Sequence, residues 1–223
     1  MPDTILEKMD AEEAKLRFEA DRQKMVDDQL RRRGISDERV LRAFEVVRRE
    51  LFVPEEYVAR AYDDCPQPIG FGQTISQPYV VALSLQELDL RAEHRVLDVG
   101  CGSGYQAALL GLLVREVYGV ERIAELAERA RGALAAAGVR NVMVKTGDGV
   151  EGWAEHGPYD RIVCGAAAED VPAAWVDQLA DGGRMVAPLG WEGSQELVAV
   201  DKKGGKLTRR GLCAVRFVPL IGN

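Results

Sequence analysis

Three carboxylates sit where open sheets do chemistry. Asp98 lies in the apolar run Val96-Leu97-Asp98-Val99 just before Gly100-Cys101-Gly102-Ser103-Gly104, Glu121 follows Glu116 to Val120, and Asp148 lies in Thr146-Gly147-Asp148-Gly149. Glycines between a strand and its helix let main chain approach a ligand closely, at the crevice where such sheets bind nucleosides. Gly102 to Ala107 also satisfies G-x-G-x-x-A, with Glu121 a suitable distance downstream. Spacing by itself therefore leaves a dinucleotide open.

Charge separates the choices. In the dinucleotide reading a pyrophosphate would sit beside Asp98, and like charges about 4 Å apart oppose each other by about 4 kcal/mol at intermediate dielectric. S-adenosylmethionine has no phosphate, and its ammonium and sulfonium groups are cations, so Asp98 attracts what it would otherwise repel. In this scheme Glu121 accepts from the ribose hydroxyls and Asp148 from the adenine amino group. The alternative for Asp148 is an Asx-type turn between glycines.

The elements that must position these residues can be read from periodicity. Residues 1 to about 33 form a charged tail merging into an amphipathic helix with Leu16, Phe18, Met25, Val26 and Leu30 as its apolar positions. After Gly34, Ser36 is placed as the N-cap of a helix whose stretch from Arg39 to Glu50 carries Val40, Leu41, Phe44, Val47 and Leu51 on one side. Pro54 opens a helical turn, Asp63 to Pro78 reads as irregular, and a helix follows from Tyr79 to Leu88. Thereafter strands (Arg95 to Val99, Glu116 to Val120, Asn141 to Thr146, Asp160 to Cys164, Arg184 to Pro188) alternate with helices (Tyr105 to Val114, Ala124 to Ala137, Ala173 to Leu179). Gln195 to Asp201 and Gly211 to Leu220 read as hairpin strands. The expected fold is α/β: a doubly wound, Rossmann-like sheet, mostly parallel with an antiparallel C-terminal edge, plus N-terminal helices.

With 223 residues, 47% hydrophobic and 29% charged, the chain has the composition of one ordinary globular domain. The expected division is an N-terminal extension over 1–22 and a single S-adenosylmethionine-binding domain over 23–223, with a helical cap and binding loop at 23–90 and the core at 91–223. A net charge of -7 argues against a nucleic-acid partner. Arg31, Arg32 and Arg33 end a helix-like segment, where cations complement the helix dipole. Cys65, Cys101, Cys164 and Cys213 are scattered, and His94 and His156 have no ligand spacing, so no metal site is expected. The N-terminus lacks a signal peptide's apolar core and no apolar run is long enough to span a membrane, which fits a cytoplasmic enzyme without a membrane partner; a monomer is favoured.

From about Met25 to Leu220 the chain resembles the protein-L-isoaspartate O-methyltransferases, repair enzymes that use S-adenosylmethionine. The resemblance is carried by Met25 to Leu30, Arg49-Glu50-Leu51-Phe52-Val53-Pro54, Ala61-Tyr62-Asp63-Asp64, Pro68-Ile69-Gly70 through Gln73-Thr74-Ile75-Ser76-Gln77-Pro78, Leu97 to Gln106, Val120-Glu121-Arg122, Gly147-Asp148-Gly149 and Val215 to Leu220. The Gly-Gln-Thr-Ile-Ser block is its most specific part. The resemblance implies methyl transfer to the α-carboxylate of L-isoaspartyl residues in damaged proteins and peptides, followed by collapse to a succinimide. It implies Ser76 as the active-site residue. Cofactor contacts are expected from Thr74, Ile75, Ser76, Asp98, Gly100, Gly102, Ser103, Gly104, Gln106, Glu121, Arg122, Asp148 and Gly149. Substrate contacts are expected from Ile69, Gly70, Gln73, Ser76, Val218, Pro219 and Leu220. The alternative role for Ser76 is a helix N-cap before Pro78.

The chain departs from the family in carrying Cys164-Gly165-Ala166 where Val-Thr-Ala is usual, in having only a short stretch after Leu220, and in residues 1 to about 22, which extend beyond the region of resemblance. Two other activities remain compatible with the residues: a related carboxyl methyltransferase with a dedicated peptide or small-molecule partner, and a non-catalytic cofactor-binding protein.

Overall fold

The computed structural model describes residues 11–222, so the first ten residues of the expected extension lie outside the described residues. Helix α1 (Ala11–Lys24) continues into a wider π-helical turn over Met25–Leu30 and a tight turn over Arg31–Arg33 that Gly34 ends at φ +94°. Met25, Val26 and Leu30 are buried, but Leu16 is 58% exposed, so the apolar face expected of this region is confined to its second half. Arg31, Arg32 and Arg33 each pair with a carboxylate, on Glu38, Asp28 and Asp64 respectively.

Helix α2 (Glu38–Val46) is capped by Asp37, whose Oδ1 accepts from the main-chain N–H of Arg39 at 2.9 Å and of Val40 at 3.4 Å. Ser36 is therefore not the cap; its N–H donates instead to the side-chain oxygen of Gln86 at 2.7 Å. The helix also stops at Val46 rather than running on to Glu50, because Val47 is extended and Arg49–Phe52 forms a separate tight turn. The stretch expected to be irregular contains a small antiparallel hairpin, β1 (Gln67–Gly70) and β2 (Gln73–Ile75). Its tip turns through Gly70, Phe71 and Gly72, all at positive φ. Helix α3 spans Pro78–Glu87.

The main sheet comprises β3 (Arg95–Val99), β4 (Glu116–Glu121), β5 (Val142–Thr146), β6 (Tyr159–Cys164), β7 (Leu179–Trp191), β8 (Ser194–Lys203) and β9 (Lys206–Val215). Its order is β5-β4-β3-β6-β7-β8-β9, parallel through β7 and antiparallel beyond. Helices α4 (Tyr105–Gly111), α5 (Ala124–Ala136) and α6 (Ala173–Gln178) supply the crossovers. Along β3, Val96 packs with Phe44, Tyr105 and Val163 on one face, and Leu97 packs with Tyr118, Ile162 and Trp175 on the other. Burial on both faces is why these strands read as unbroken apolar runs.

Two C-terminal expectations change. β7 is longer than expected, starting directly after α6 and running into a hairpin with β8. The last strand is Lys206–Val215 rather than Gly211 to Leu220. Beyond it the chain leaves the sheet and docks on the loop after β6, where Ala167 N donates to Val218 O at 2.8 Å and Leu220 N donates to Ala167 O at 2.7 Å.

Candidate active site

The connections leaving β3 cross to β4 on one side and the neighbour on the other side is β6, so the sheet reverses its winding at β3, and a crevice opens above it. The loop after β3 is held by its neighbour strand: Gly100 N and Cys101 N both donate to Val120 O, at 2.8 and 3.2 Å. Gly100, Gly102 and Gly104 all have positive φ. A side chain at Gly104 would lie 3.1 Å from the methyl of Ala130, so this glycine lets α4 start close against α5.

Glu121 is buried at the rim of the crevice. One of its oxygens accepts from Gly102 N at 2.9 Å and the other from Ile123 N at 2.9 Å, which binds the glycine loop to the end of β4. Each oxygen keeps a further lone pair for a ligand hydroxyl. Asp148 accepts from Val150 N at 2.8 Å, so the Asx turn weighed in the sequence is present, and Gly149 beside it is buried against Val99.

Three adjoining cavities occupy the crevice. The first, of about 80 Å³, lies between Gly100, Gly102, Glu121 and Gly149 on one side and Ile69, Thr74 and Val218 to Ile221 on the other. The second, of about 420 Å³, is a groove between Thr74, Ser76 and Gln77 and the stretch Ala214 to Val218. The third, of about 40 Å³, is enclosed by Thr74 to Ser76, Gly100 to Ser103, Tyr105 and Gln106. Thr74 and Gly165 border all three.

Asp98 lines none of these cavities. It is fully buried one layer beneath the glycine loop, with Oδ1 accepting from Gln106 Nε2 at 2.7 Å and Oδ2 without a hydrogen-bond partner among the described residues. Burial, reinforced by the negative charge of Glu121 and only partly offset by Gln106, pushes its carboxyl up to about 7. A buried carboxylate with an orphaned oxygen beside a glycine loop is complementary to a cation, and phosphate there would raise its cost further. The donor and acceptor set thus fits S-adenosylmethionine and does not fit a dinucleotide.

Of the other expected site residues, Gly104 and Asp148 support the walls without lining them, and Gly70 borders a separate groove with Ser103, Leu126 and Arg129. Arg122 lines the first cavity with an exposed side chain. The sequence reading missed Val120, Ile123 and Ile221 in the first cavity, Pro66, Val80 and Ala214 to Phe217 in the second, and Val81, Cys101 and Tyr105 in the third, besides Gly165 and Ala166. Ile123 was findable as the residue two after Glu121; Pro66 and Val80 carry no local signal, because only the hairpin brings them to the groove.

Ser76 is partly buried where the second and third cavities meet. It does not cap α3: the cap position is Gln77, which makes no capping bond, and Pro78 begins the helix. The Ser76 main-chain carbonyl accepts from Arg49 Nη2 at 2.8 Å, while its hydroxyl has no partner among the described residues. Gly165 lies opposite, and a Cβ there would stand 2.8 Å from Gly100 O, closer than packing allows. In this chain the loop after β6 therefore sits directly on the glycine loop, where the threonine usual in the family would not fit without movement.

The profile of the protein-L-isoaspartate(D-aspartate) O-methyltransferases matches residues 20–223. A protein-L-isoaspartate O-methyltransferase from Koribacter versatilis is 52% identical over 206 residues, spanning 92% of this chain and 93% of that one. One from Methanoculleus marisnigri is 50% identical over 202 residues, spanning 91% and 92%. Among solved structures, a protein-L-isoaspartate O-methyltransferase superposes with a TM-score of 0.82 at 30% identity, covering 91% of this chain and 66% of that one. A Plasmodium falciparum chain assigned to the same activity and solved in complex with S-adenosyl-L-homocysteine gives 0.79 at 28% identity, covering 92% and 99%.

Proposed function

Because this chain belongs to the protein-L-isoaspartate(D-aspartate) O-methyltransferase family, we propose a division of labour among its residues for that family's reaction. The enzyme methylates L-isoaspartyl residues of proteins and peptides. In such a residue the main chain runs through the side-chain carbonyl, so the free acid is the α-carboxylate. Bound S-adenosylmethionine supplies an electrophilic methyl group on its sulfonium.

An α-carboxyl group titrates near about 3.5, so the nucleophile is ionised at neutral pH and needs no general base. Both histidines are occupied elsewhere: His94 Nδ1 accepts from Arg91 N at 3.1 Å, and His156 stacks on Tyr118. What the reaction needs is a donor that holds one carboxylate oxygen while the other attacks, in a place closed to water. The free Ser76 hydroxyl at the junction of the cavities is the observation that carries this assignment. Thr74 and Ile75 form the wall over the cofactor cavity, Glu121 accepts from the ribose, and Asp98 holds the ammonium group through its negative charge from beneath the loop. The groove between Thr74 to Gln77 and Ala214 to Val218 takes the substrate main chain, which suits acceptance of many surrounding sequences. Methylation converts the carboxylate into an ester, and attack by the next amide nitrogen then expels methanol and closes a succinimide.

Residues 23–223 are read as one methyltransferase domain with its cap at 23–90. A reducing, cytoplasmic setting is consistent with four cysteines that are all unpaired, and the net charge of -7 speaks against a nucleic-acid partner. The test is a paired-peptide assay. Methylation of an isoaspartyl peptide and none of the same peptide with normal aspartate is expected; equal turnover of both would refute the assignment.

A further inference from the structure

Arg49 opens the segment Arg49-Glu50-Leu51-Phe52-Val53-Pro54, to which the mechanism above gives no task. Its side chain is fully buried, and three parts of the chain meet on it. Nε donates to Ala61 O at 2.7 Å and Nη2 donates to Ser76 O at 2.8 Å. The guanidinium carbon lies 4.7 Å from the ring centroid of Tyr105, the first residue of α4 after the glycine loop. Among the described residues no carboxylate forms an ion pair with it; Nη1 and the Tyr105 hydroxyl beside it make no well-formed hydrogen bond, though the two attract each other.

Burying a cation without a counter-ion is costly, and two carbonyls and an aromatic face offset only part of that cost. Stability alone is therefore a poor account of this side chain. A guanidinium fork fixes the direction of two acceptors at once, which an ammonium group cannot do. Here one prong is on Ala61 and the other on Ser76, a residue that lines the substrate groove.

We propose that Arg49 is the positioning residue for Ser76: it holds the Ser76 carbonyl against the cap and so leaves the hydroxyl directed to the carboxylate. This rests on Ser76 being the carboxylate holder. Arg49 borders none of the three cavities, so it acts through Ser76 and not on the substrate. Keeping its charge off the carboxylate also suits the chemistry. The reaction joins an anion to a cation and forms neutral products, so a cation in contact with the nucleophile would favour the reactants over the transition state.

The test is a double-mutant cycle of Arg49→Lys, and separately Arg49→Met, in wild-type and Ser76→Ala backgrounds. The readouts are kcat and KM for an isoaspartyl peptide and the calorimetric affinity for S-adenosylhomocysteine. In the wild-type background Arg49→Lys is expected to lower kcat on the order of tenfold, with Arg49→Met at least as slow. In the Ser76→Ala background the same changes should alter kcat by less than about twofold, and S-adenosylhomocysteine affinity should stay within about twofold throughout. Equal losses in both backgrounds, a parallel loss of S-adenosylhomocysteine affinity, or failure of both Arg49 variants to fold would each overturn the proposal, because Arg49 would then serve the fold at large. A wild-type rate for Ser76→Ala alone would instead refute the reading of Ser76, and the Arg49 proposal with it.

Discussion

Asp98 and Gln106 are joined by a 2.7 Å hydrogen bond that satisfies only one oxygen of a fully buried carboxylate, leaving the other facing the underside of the glycine loop. In the proposed site that second oxygen is what remains for the cofactor ammonium. Burial pushes this carboxyl up to about 7, so its charge changes near neutral pH.

Asp98 sits at about 7 in the free protein, so protonation below that value removes the attraction for a cation. Affinity for S-adenosylhomocysteine should rise by up to about tenfold per pH unit on approach to 7 and level above it. At more alkaline pH, where the ligand's own α-ammonium group loses its proton, affinity falls again. Asp98→Asn should weaken binding at neutral pH and flatten the acidic limb, as titration calorimetry would show. Stability of the free protein has the opposite sign: the folded state binds the extra proton, so the contribution of Asp98 is fully present below its unfolded value and is lost as pH rises through about 7.

Glu121→Ala removes the acceptor for both Gly102 N and Ile123 N and the proposed ribose contacts. Cofactor affinity should fall on the order of tenfold to a hundredfold, with a lower melting temperature as the loop loses its tie to β4. Glu121→Gln, which keeps one acceptor oxygen, should lie between. Unchanged affinity in Glu121→Ala would contradict the proposed role.

For Ser76→Ala the expected loss is in turnover. One hydrogen bond to a charged group is worth about 1.5–3 kcal/mol, so kcat should drop on the order of tenfold to a hundredfold while S-adenosylhomocysteine still binds normally. Steady-state kinetics beside calorimetry separates the two.

Gly165→Thr restores the residue usual in the family but should impair this enzyme. The added Cβ meets Gly100 O at 2.8 Å, so the glycine loop must shift. Weaker S-adenosylhomocysteine binding is expected, with Gly165→Ala showing the same change to a smaller degree. An improvement in either variant would show that the loop moves freely.

At the start of α2, Asp37→Ala should destabilise the protein by about 1 kcal/mol through loss of the cap. Ser36→Ala should stay within about 0.5 kcal/mol, since only the Ser36 main chain is engaged. Denaturant titration of the two variants distinguishes them.

The alternation of strands and helices from Arg95 onward was legible because each central strand is buried on both faces and each glycine turn is local. The carboxylates at 98, 121 and 148 were legible as a set for the same reason, since each lies at or just beyond the C-terminal end of one of three neighbouring parallel strands. Their individual roles were not. Asp98 looks like a lining residue in sequence but lies beneath the loop, and Asp148 already serves an Asx turn. The hairpin Gln67 to Ile75 is too short and too bulged to show alternation. Ser36 and Asp37 are both good caps by type, and Gln86, fifty residues away from Ser36, ties down the main-chain N–H of both, while only the Asp37 side chain reaches the free N–H groups of the first turn. Phe217 to Leu220 alternates like a strand, yet Phe217 pairs with the side chain of Gln195 and Val218 and Leu220 pair with the loop after β6.

The first cavity is walled by Ile69 at one end of the chain order and Ile221 at the other, with the whole parallel sheet between them. On a ribosome, a nascent chain therefore reaches its last wall only after every strand has been made. Contacts so distant in sequence form late, because the intervening chain must first be ordered. A partly made molecule therefore lacks the wall that Val218 to Ile221 give the first cavity, and the pocket closes only once the last residues have docked on the loop after β6.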